Sequence, residues 1–303
     1  MILLAAIALP ALLWERPLDT VKTLKDAGIS EIAVAADKVA AWKSAGFAAV
    51  PIPSAGCVAA PAPKVNMRAN VARATSSPWV DSNSWRFLRN PGGKFCIEAL
   101  GRSAGLAAAE AFAYGVEAYI KTDDAGLASL AAMIKVLRGV PVLAGSAAPV
   151  ADIGVVDDGS AQAGEMLNLL SRRNLLYRIV KSPDSGLKVN VAKVDGGDPS
   201  KQAYEIRQKL GDERRSLRLY GSEVVIARLT TQGGGARVHL VNYSQRAVNG
   251  LRVRVVGTFT KAELRGAGLS QADLTDLVQA DGGTEFTVAT MNDYAVIDLA
   301  AKP

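Results

Sequence analysis

The sequence predicts an α/β protein in which parallel β/α segments, a partial barrel or a doubly wound sheet, precede a C-terminal antiparallel β module. Two observations predict this class. From residue 18 to residue 210 helical apolar spacing alternates with short strand-like runs, and from residue 217 onward strands are divided by glycine turns. With 303 residues, of which 49% are hydrophobic, the chain is long enough for more than one core and is not a disordered sequence.

The N-terminal residues Met1 to Leu13 form an uninterrupted apolar segment. The segment has the length of a signal-peptide core and is shorter than the roughly 20 residues of a bilayer-spanning helix. It predicts a signal peptide over residues 1–16 and a secreted or periplasmic protein with no membrane span. The alternative is a buried first strand or helix. In an exported chain Cys57 and Cys96 could pair, whereas in a cytosolic chain they would be small core residues.

The first half of the chain reads as a β/α alternation. Gly28 and Gly46 are expected to end two helices, and Asp37 is expected to cap the second of them. A proline-rich loop surrounds Cys57. The expected helices cover residues 18–27, 37–45, 106–114 and 125–137. The expected strands cover residues 31–35, 47–52, 65–73, 94–100 and 117–121.

Clustered Pro, Gly, Ser and Ala residues over 139–150 predict a domain boundary. A β-α-β unit is expected beyond it, followed by a helix and then by strands only. The expected helices cover residues 161–173 and 199–210. The expected strands cover residues 153–156, 177–180, 217–230, 237–243, 251–256, 285–288 and 294–299.

Parts of this sequence resemble secreted bacterial glycoside hydrolases. Residues 238–243, VHLVNY, and 291–297, MNDYAVI, look like their C-terminal β-sandwich, and residues 109–118, AEAFAYGVEA, are similar to a late helix and strand of their barrels. The whole order resembles that of β-galactosidases with an amidotransferase-like middle domain. The resemblance implies a glycan or glycoside partner. It also implies a truncated barrel-like domain, because about 130 residues precede the boundary against about 250 in an eight-fold barrel.

Under this resemblance the predicted domains are a β/α barrel-like domain, a flavodoxin-like β-α-β domain and a β-sandwich domain. Their expected bounds are 17–145, 146–215 and 216–303.

Carboxylates near the ends of predicted strands are the candidate catalytic residues. Parallel β/α sheets collect functional groups at the carboxyl ends of their strands, and glycoside hydrolysis needs two carboxyl groups. Asp157, Glu98 and Asp81 are the predicted candidates. Asp124 and Asp158 also follow strands, but a carboxylate in that position commonly caps a helix.

The segment around Trp79 and Trp85 is the candidate substrate-binding loop. The two indoles stand six residues apart, with Asn83 and Arg86 nearby. Flat apolar faces next to bidentate hydrogen-bonding groups suit a sugar ring, so these four residues are predicted to bind substrate. The alternative is that both rings close a small core.

A G-x-S-x-G motif around Ser103 lies between a predicted strand and a predicted helix, the setting of the nucleophile elbow. It is similar to esterases of the α/β-hydrolase type, which implies Ser103 as nucleophile, His239 as base and Asp157, Asp158 or Asp184 as its orienting acid. The position of His239 inside an alternating strand weighs against this. The alternative is a tight turn with Ser103 as a helix cap.

Composition excludes several other classes. The chain has one His and two Cys, which excludes metal sites that need two histidines or four thiolates, so no metal is predicted. The sequence contains no glycine pattern of the phosphate-binding kind, so no cofactor is predicted either. A net charge of +6 carried by scattered Lys and Arg, with 6% aromatic residues, argues against nucleic-acid binding. Three hypotheses follow: a glycoside hydrolase-like protein, a non-catalytic glycan-binding or scaffold protein, and a serine esterase.

Overall fold

The computed structural model describes residues 9–53, 56–66, 79–142, 147–194 and 196–301. The chain divides into two compact units, which are Met1–Lys64 with Asn90–Val142 and Val65–Arg89 with Leu143–Pro303. Within the described ranges, no helix is both long enough and apolar enough to cross a membrane.

The strands, in chain order, are β1 (Ala11–Leu13), β2 (Glu31–Val34), β3 (Ala48–Pro51), β4 (Cys57–Ala60), β5 (Lys64–Asn66), β6 (Trp79–Asp81), β7 (Lys94–Glu98), β8 (Glu117–Lys121), β9 (Ala148–Pro149), β10 (Ile153–Val155), β11 (Tyr177–Ile179), β12 (Val189–Val191), β13 (Leu217–Tyr220), β14 (Val225–Gln232), β15 (Gly235–Asn242), β16 (Val248–Val256), β17 (Lys261–Gly266), β18 (Leu274–Ala280), β19 (Gly283–Met291) and β20 (Tyr294–Ala300). The α-helices are α1 (Val21–Asp26), α2 (Val39–Ser44), α3 (Ser84–Arg89), α4 (Ser103–Tyr114), α5 (Asp124–Arg138), α6 (Ala161–Arg172) and α7 (Pro199–Leu210).

The first unit is built on a six-stranded sheet in the order β3-β2-β1-β8-β7-β4, and all its neighbouring strands are parallel. The steps β1 to β2 to β3 and β4 to β7 to β8 run in the same direction across the sheet. Right-handed crossovers therefore place the connecting helices on one face. This is the cyclic order of a β/α barrel opened between β3 and β4, so the strand order of the first unit's sheet is that of a partial barrel and not that of a doubly wound sheet.

The two faces of this sheet differ in burial. Leu12, Ile32, Ile97 and Ile120 are neighbours in register and are almost fully buried. Side chains alternate between faces along a strand, so residues one position away point to the opposite face. Glu98 and its register partner Lys121 lie on that opposite face and are exposed. The first face is almost fully buried, whereas the second carries exposed side chains at its carboxyl edge, where Glu98 and Lys121 lie.

The second unit contains a small parallel sheet in the order β11-β10-β12. Helices α6 and α7 pack with it around a core that includes Ile153, Leu167 and Leu210. Asp198 caps α7 by accepting from the Ser200 backbone, and a proline occupies the first helical turn. This is the β-α-β unit that the sequence predicts.

A β-sandwich forms the rest of the second unit. One antiparallel sheet has the order β13-β16-β19-β18 and the other the order β17-β20-β15-β14-β9. Their inner faces meet in a core that includes Val253 and Phe286 from the first sheet and Leu240 and Ile297 from the second. The predicted class, a parallel β/α part followed by an antiparallel sandwich, is confirmed.

The N-terminal apolar segment contributes an interior strand of the first unit. Residues 1–8 lie outside the described part of the chain, but Ala11–Leu13 form β1, which pairs with β2 on one side and β8 on the other. Leu12 and Trp14 are each 2% exposed. This agrees with the alternative interpretation of a buried first strand. Export and cleavage of a signal peptide stay predictions.

Two local expectations differ from the structure, and one falls largely outside the described residues. Asp37 does not cap α2; it lies in a 3₁₀ turn over Ala36–Lys38, and no side chain caps that turn. Of the strand expected over 65–73, residues 65 and 66 belong to β5, and residues 67–78 lie outside the described ranges. The segment expected to be a binding loop is the short strand β6 followed by the helix α3.

Cys57 and Cys96 form a disulfide with a Cα–Cα distance of 5.7 Å. The bond joins the neighbouring strands β4 and β7 of the first unit. The two cysteines are therefore not separate core thiols, and they tie the edge strand of the sheet to its neighbour.

Candidate functional site

Glu98 lies in an open groove at the carboxyl edge of the first unit's sheet. The groove has a volume of about 490 Å³, and its lining includes the ends of several parallel strands, among them Leu13, Ala60, Glu98 and Lys121. Functional groups of parallel β/α sheets gather at this edge because loops and strand ends converge there. Glu98 is the one predicted site residue that this groove holds.

Lys121 and Glu15 complete the charged part of this edge. Lys121 Nζ donates to Glu15 Oε2 at 2.6 Å, and Lys121 is also the register partner of Glu98. The hydrogen bond to Glu15 is the main cause that raises the pKa of Lys121, and the Glu98 charge adds to it. The edge therefore combines a permanent cation with two carboxylates.

Sequence reasoning missed Glu15 and Lys121. Glu15 falls inside the segment interpreted as a signal peptide, and a lysine that ends a strand carries no motif. The signal that could have found Glu15 is its place two residues beyond an apolar strand-like run, the same relation by which the other candidate carboxylates were chosen.

The floor of the groove includes Tyr119. The Tyr119 hydroxyl donates to Glu117 Oε1, and burial together with that carboxylate raises the pKa of Tyr119 to about 12. Tyr119 therefore stays protonated at neutral pH.

The loop around Ser103 has the strand-turn-helix setting that its motif predicts, but not the chemistry of a nucleophile elbow. Positive φ occurs at Gly101 and not at Ser103, which is the first residue of α4. The backbone N–H of Ala104, which an elbow offers to the oxyanion, donates instead to Gly101 O at 3.2 Å. The structure gives this loop the geometry of a tight turn.

His239 lies in β15 of the sandwich and is 3% exposed. Its Nδ1 is 2.7 Å from the Tyr294 hydroxyl, and burial lowers the pKa of the imidazole to about 3. A ring closed off from solvent inside a sheet cannot take a proton from a nucleophile attacking a dissolved substrate. This position is incompatible with the role of base in the serine esterase hypothesis.

Asp157 is held in an ion pair with Arg89. Arg89 Nε and Nη2 donate to the two carboxylate oxygens, each at 2.8 Å, and the Gly159 backbone also donates to Asp157 Oδ1 at 3.1 Å. The Asp157 side chain is 7% exposed. Both oxygens are engaged in a shielded ion pair, so this carboxylate fixes the loop after β10 to helix α3.

The two indoles of the candidate binding segment are covered by guanidinium groups. The Arg86 Cζ lies 4.3 Å from the centroid of the Trp85 ring and the Arg89 Cζ lies 5.0 Å from it, while the Arg172 Cζ lies 4.3 Å from the Trp79 ring. Such cation–π contacts occupy ring faces that a sugar would use. The edge of Trp85 packs against α6, because a Cβ on Gly164 would come within 2.9 Å of its Cζ3.

Asn83 and Arg86 bind each other. Asn83 is fully buried, and its Oδ1 accepts from Arg86 Nη1 at 3.1 Å. Asp81 ends β6 and is half-buried. These residues belong to the second unit together with Asp157, Trp79 and Trp85, whereas Glu98 belongs to the first. The predicted site residues thus divide between the two units.

The helix caps differ from those expected by one or two residues. Asp123, and not Asp124, caps α5 by accepting from the Gly126 backbone. Ser160, and not Asp158, caps α6 by accepting from the Ala163 backbone. The Gly101 backbone also donates to Asp123, and it is the main cause that lowers the pKa of that carboxyl. Asp123 thus joins the turn before α4 to the start of α5.

Comparison with known proteins gives matches among solved structures only. No family model matches the chain, and no curated protein matches it. The structure is similar to alpha-L-fucosidase isoenzyme 2 from Paenibacillus thiaminolyticus, with a TM-score of 0.52 and 9% sequence identity. That match covers 70% of this chain and 61% of the fucosidase, so the chain spans less than two thirds of its length.

Two further structures are matched much more weakly. An Anoxybacillus alpha-amylase has a TM-score of 0.24 at 12% identity, over 67% of this chain and 33% of the amylase. A GH30 endoxylanase from Clostridium papyrosolvens C71 has a TM-score of 0.19 at 10% identity, over 97% of this chain and 89% of the xylanase. The fucosidase match carries the structural conclusion: the chain has a glycoside hydrolase-like fold.

Proposed function

We propose that this chain is a carbohydrate-active protein that takes a glycan at the groove containing Glu98. The observation that carries the proposal is the place of this groove at the carboxyl edge of a partial parallel barrel, where such folds build their sites. The fold likeness to a fucosidase supports the substrate class. The proposal keeps the predicted export, which the apolar N-terminal segment and the Cys57–Cys96 disulfide support. It does not keep cleavage after residue 16, because Ala11–Leu13 form β1.

The chemistry of the groove suits a sugar. Glu98 accepts hydrogen bonds from hydroxyl groups, and the Lys121 ammonium donates them. Leu13, Ala60 and Pro61 supply apolar atoms beside these charges, as the CH face of a sugar ring requires. For hydrolysis, the two carboxyl groups offered by this edge are Glu98 and Glu15, one to protonate the leaving oxygen and one to act as nucleophile or base.

A second candidate is glycan binding without hydrolysis. One observation favours it: the Glu15 carboxylate is engaged in an ion pair with Lys121 at 2.6 Å. Among the described residues, Glu98 is the only carboxylate that lines the groove, and Glu15 reaches this edge only through its ion pair with Lys121. Hydrolysis needs both carboxyls available, whereas binding needs only one.

The test compares Glu98→Gln with Glu31→Gln. Glu31 begins β2 at the opposite edge of the same sheet and pairs with Arg138, so both variants lose one negative charge from one sheet. The measurements are turnover of a panel of aryl glycosides, an aryl α-L-fucoside among them, and binding to a glycan array.

A hydrolase would turn over at least one glycoside and lose about 100-fold or more of that activity in Glu98→Gln, with Glu31→Gln unaffected. A binding protein would retain a glycan without turnover and lose it in Glu98→Gln alone. The proposal fails when the native chain neither binds nor cleaves any glycan, or when Glu98→Gln leaves both properties intact.

A further inference from the structure

A second cavity, which we call the arginine cavity, lies in the second unit and plays no part in the proposed function. Its volume is about 390 Å³, within the range of small-molecule sites. Its lining includes Leu169, Arg172 and Arg173 at the end of α6, Arg207 in α7, Arg215 just before β13, and Leu219 in β13.

Positive charge dominates this cavity. Four of its nine lining residues are arginines, and Glu223 is the one lining carboxylate. Asp212, just outside, pairs with both Arg207 and Arg215, each at 3.2 Å. Cations therefore outnumber the carboxylates that could neutralise them.

Two of the arginines hold hydrogen-bond donors without acceptors. Arg215 is 8% exposed, and its Nε has no acceptor among the described residues. In the same described part of the chain, Arg173 Nη1 is buried and equally lacks one. Burial lowers the pKa of the Arg173 guanidinium, and the Arg207 charge lowers it further. Buried donors without acceptors and cations that repel one another are both relieved by a bound anion.

The walls of the cavity are fixed by backbone contacts. Arg215 Nη2 donates to the carbonyl oxygens of Arg173 and Asn174, at 3.0 and 3.2 Å. The Asn174 side chain in turn donates to Val225 O at 2.9 Å and accepts from the Ala227 backbone at 2.7 Å. The Arg215 guanidinium is thus held in place before any ligand arrives, which lowers the cost of binding.

From these contacts we propose that the arginine cavity binds a small molecule through an oxyanion group, a phosphate, sulfate or carboxylate. The planar guanidinium fork matches the paired oxygens of all three groups. The apolar side chains of Leu169 and Leu219 leave room for a carbon skeleton beside the anionic group.

The test is calorimetric titration of the full chain at low ionic strength with inorganic phosphate, with sulfate and with glucuronate, as separate arms that distinguish the three groups. The variant is Arg173→Gln, and its matched control is Arg178→Gln. Arg178 belongs to the same unit, pairs with Asp184 and does not line the cavity, so both variants lose one positive charge. Circular dichroism checks that each variant is folded. Arg207→Gln takes the place of Arg173→Gln if the latter unfolds.

We expect the native chain to bind at least one of the anions at one site per chain. Arg173→Gln should bind that anion at least about tenfold more weakly, because a hydrogen bond to a charged group contributes that factor or more to the affinity. Arg178→Gln should bind it with unchanged affinity. The proposal is overturned if no anion binds more tightly than about 10 mM. Equal loss in both variants overturns it too. The residues tested here are not those of the Glu98 groove, so either proposal can fail alone.

Discussion

Asp157 was chosen from the sequence as a catalytic carboxylate because it follows a strand, and its contacts suggest a different role. Arg89 reaches it from helix α3, 68 residues away in the chain, and binds both its oxygens. A buried ion pair of this geometry destabilises the protein when one partner is removed, since the other is left as an unpaired charge.

We therefore predict that Asp157→Ala and Arg89→Met each lower the free energy of unfolding by about 3 kcal/mol. The loss in free energy of unfolding in the double variant should be smaller than the sum of the two single losses, and the difference should be about 1 kcal/mol or more. Urea unfolding of the four proteins measures the coupling. The control is Asp26→Ala, which breaks a pair whose side chains are 84% and 63% exposed and should cost about 0.5 kcal/mol or less. Single variants as stable as the native chain would return Asp157 to the list of catalytic candidates.

His239 makes the stability of the second unit depend on pH. Its pKa in the folded state is about 3, below the 6.5 of a free imidazole. As the pH falls below 6.5, the unfolded state takes up a proton on this imidazole and the folded state does not. The contribution of His239 to the free energy of unfolding is therefore fully present above pH 6.5 and is lost progressively toward pH 3.

Between pH 7.5 and pH 5, we predict that His239 lowers the free energy of unfolding by about 2 kcal/mol. His239→Gln should remove that share of the pH dependence, as measured by urea unfolding at both pH values. Tyr294→Phe is the matched control, because it removes the hydrogen-bond partner but keeps the buried imidazole, and it should retain the slope. An unchanged slope in His239→Gln would contradict the assignment.

Helix α6 shows how an element depends on what packs against it. Its glycine, Gly164, allows the Trp85 ring to lie against the helix backbone, since an added Cβ would come within 2.9 Å of Cζ3 and 3.1 Å of Arg89 Nη1. On an exposed helix face, replacing glycine with alanine stabilises by about 1 kcal/mol.

We predict that Gly164→Ala instead lowers the free energy of unfolding by about 1–3 kcal/mol, because the Trp85 ring or the helix must shift to make room for the added Cβ. Thermal or urea unfolding measures it. Glu165→Ala, one residue away on the same helix, reports helix propensity without the clash and should change stability by about 0.5 kcal/mol or less. A Gly164→Ala variant more stable than the native chain would show that the Trp85 ring does not pack against the α6 backbone at Gly164.

Most elements could be predicted because their signals are local. Helices α5, α6 and α7 show 3.6-residue apolar spacing. Helix α4 is Ala-rich and buried all round, and Gly115 ends it in the left-handed conformation with φ 66°. The strands β4, β6, β9, β12, β17 and β18 and the helix α3 were missed. All of these except β18 have six residues or fewer, and such elements are stabilised by their neighbours and hold too few residues to show a period. The pairing of β18 shifts register between Thr275 and Val278, which interrupts its alternation.

Removal of residues 1–16, the predicted signal peptide, should unfold the first unit. It deletes β1 and leaves β2 and β8 without the strand that joins them. Hydrogen exchange of β2 and β8 should become fast, while the sandwich strands stay protected by their own core. Removal of residues 1–8 alone is the control and should leave both units protected. Full protection of β2 and β8 in the longer deletion would contradict the role of β1.

The sequence by itself determined the fold class and most of the longer elements, because amphipathic period, capping residues and glycine turns act over a few residues. The tertiary structure decided the barrel-like strand order, the Cys57–Cys96 pair, the Arg89 partner of Asp157, the burial of His239 and the meeting of four arginines in one cavity. Each of these joins residues far apart in the chain, and their encounter depends on strand register and core packing, which no local pattern specifies.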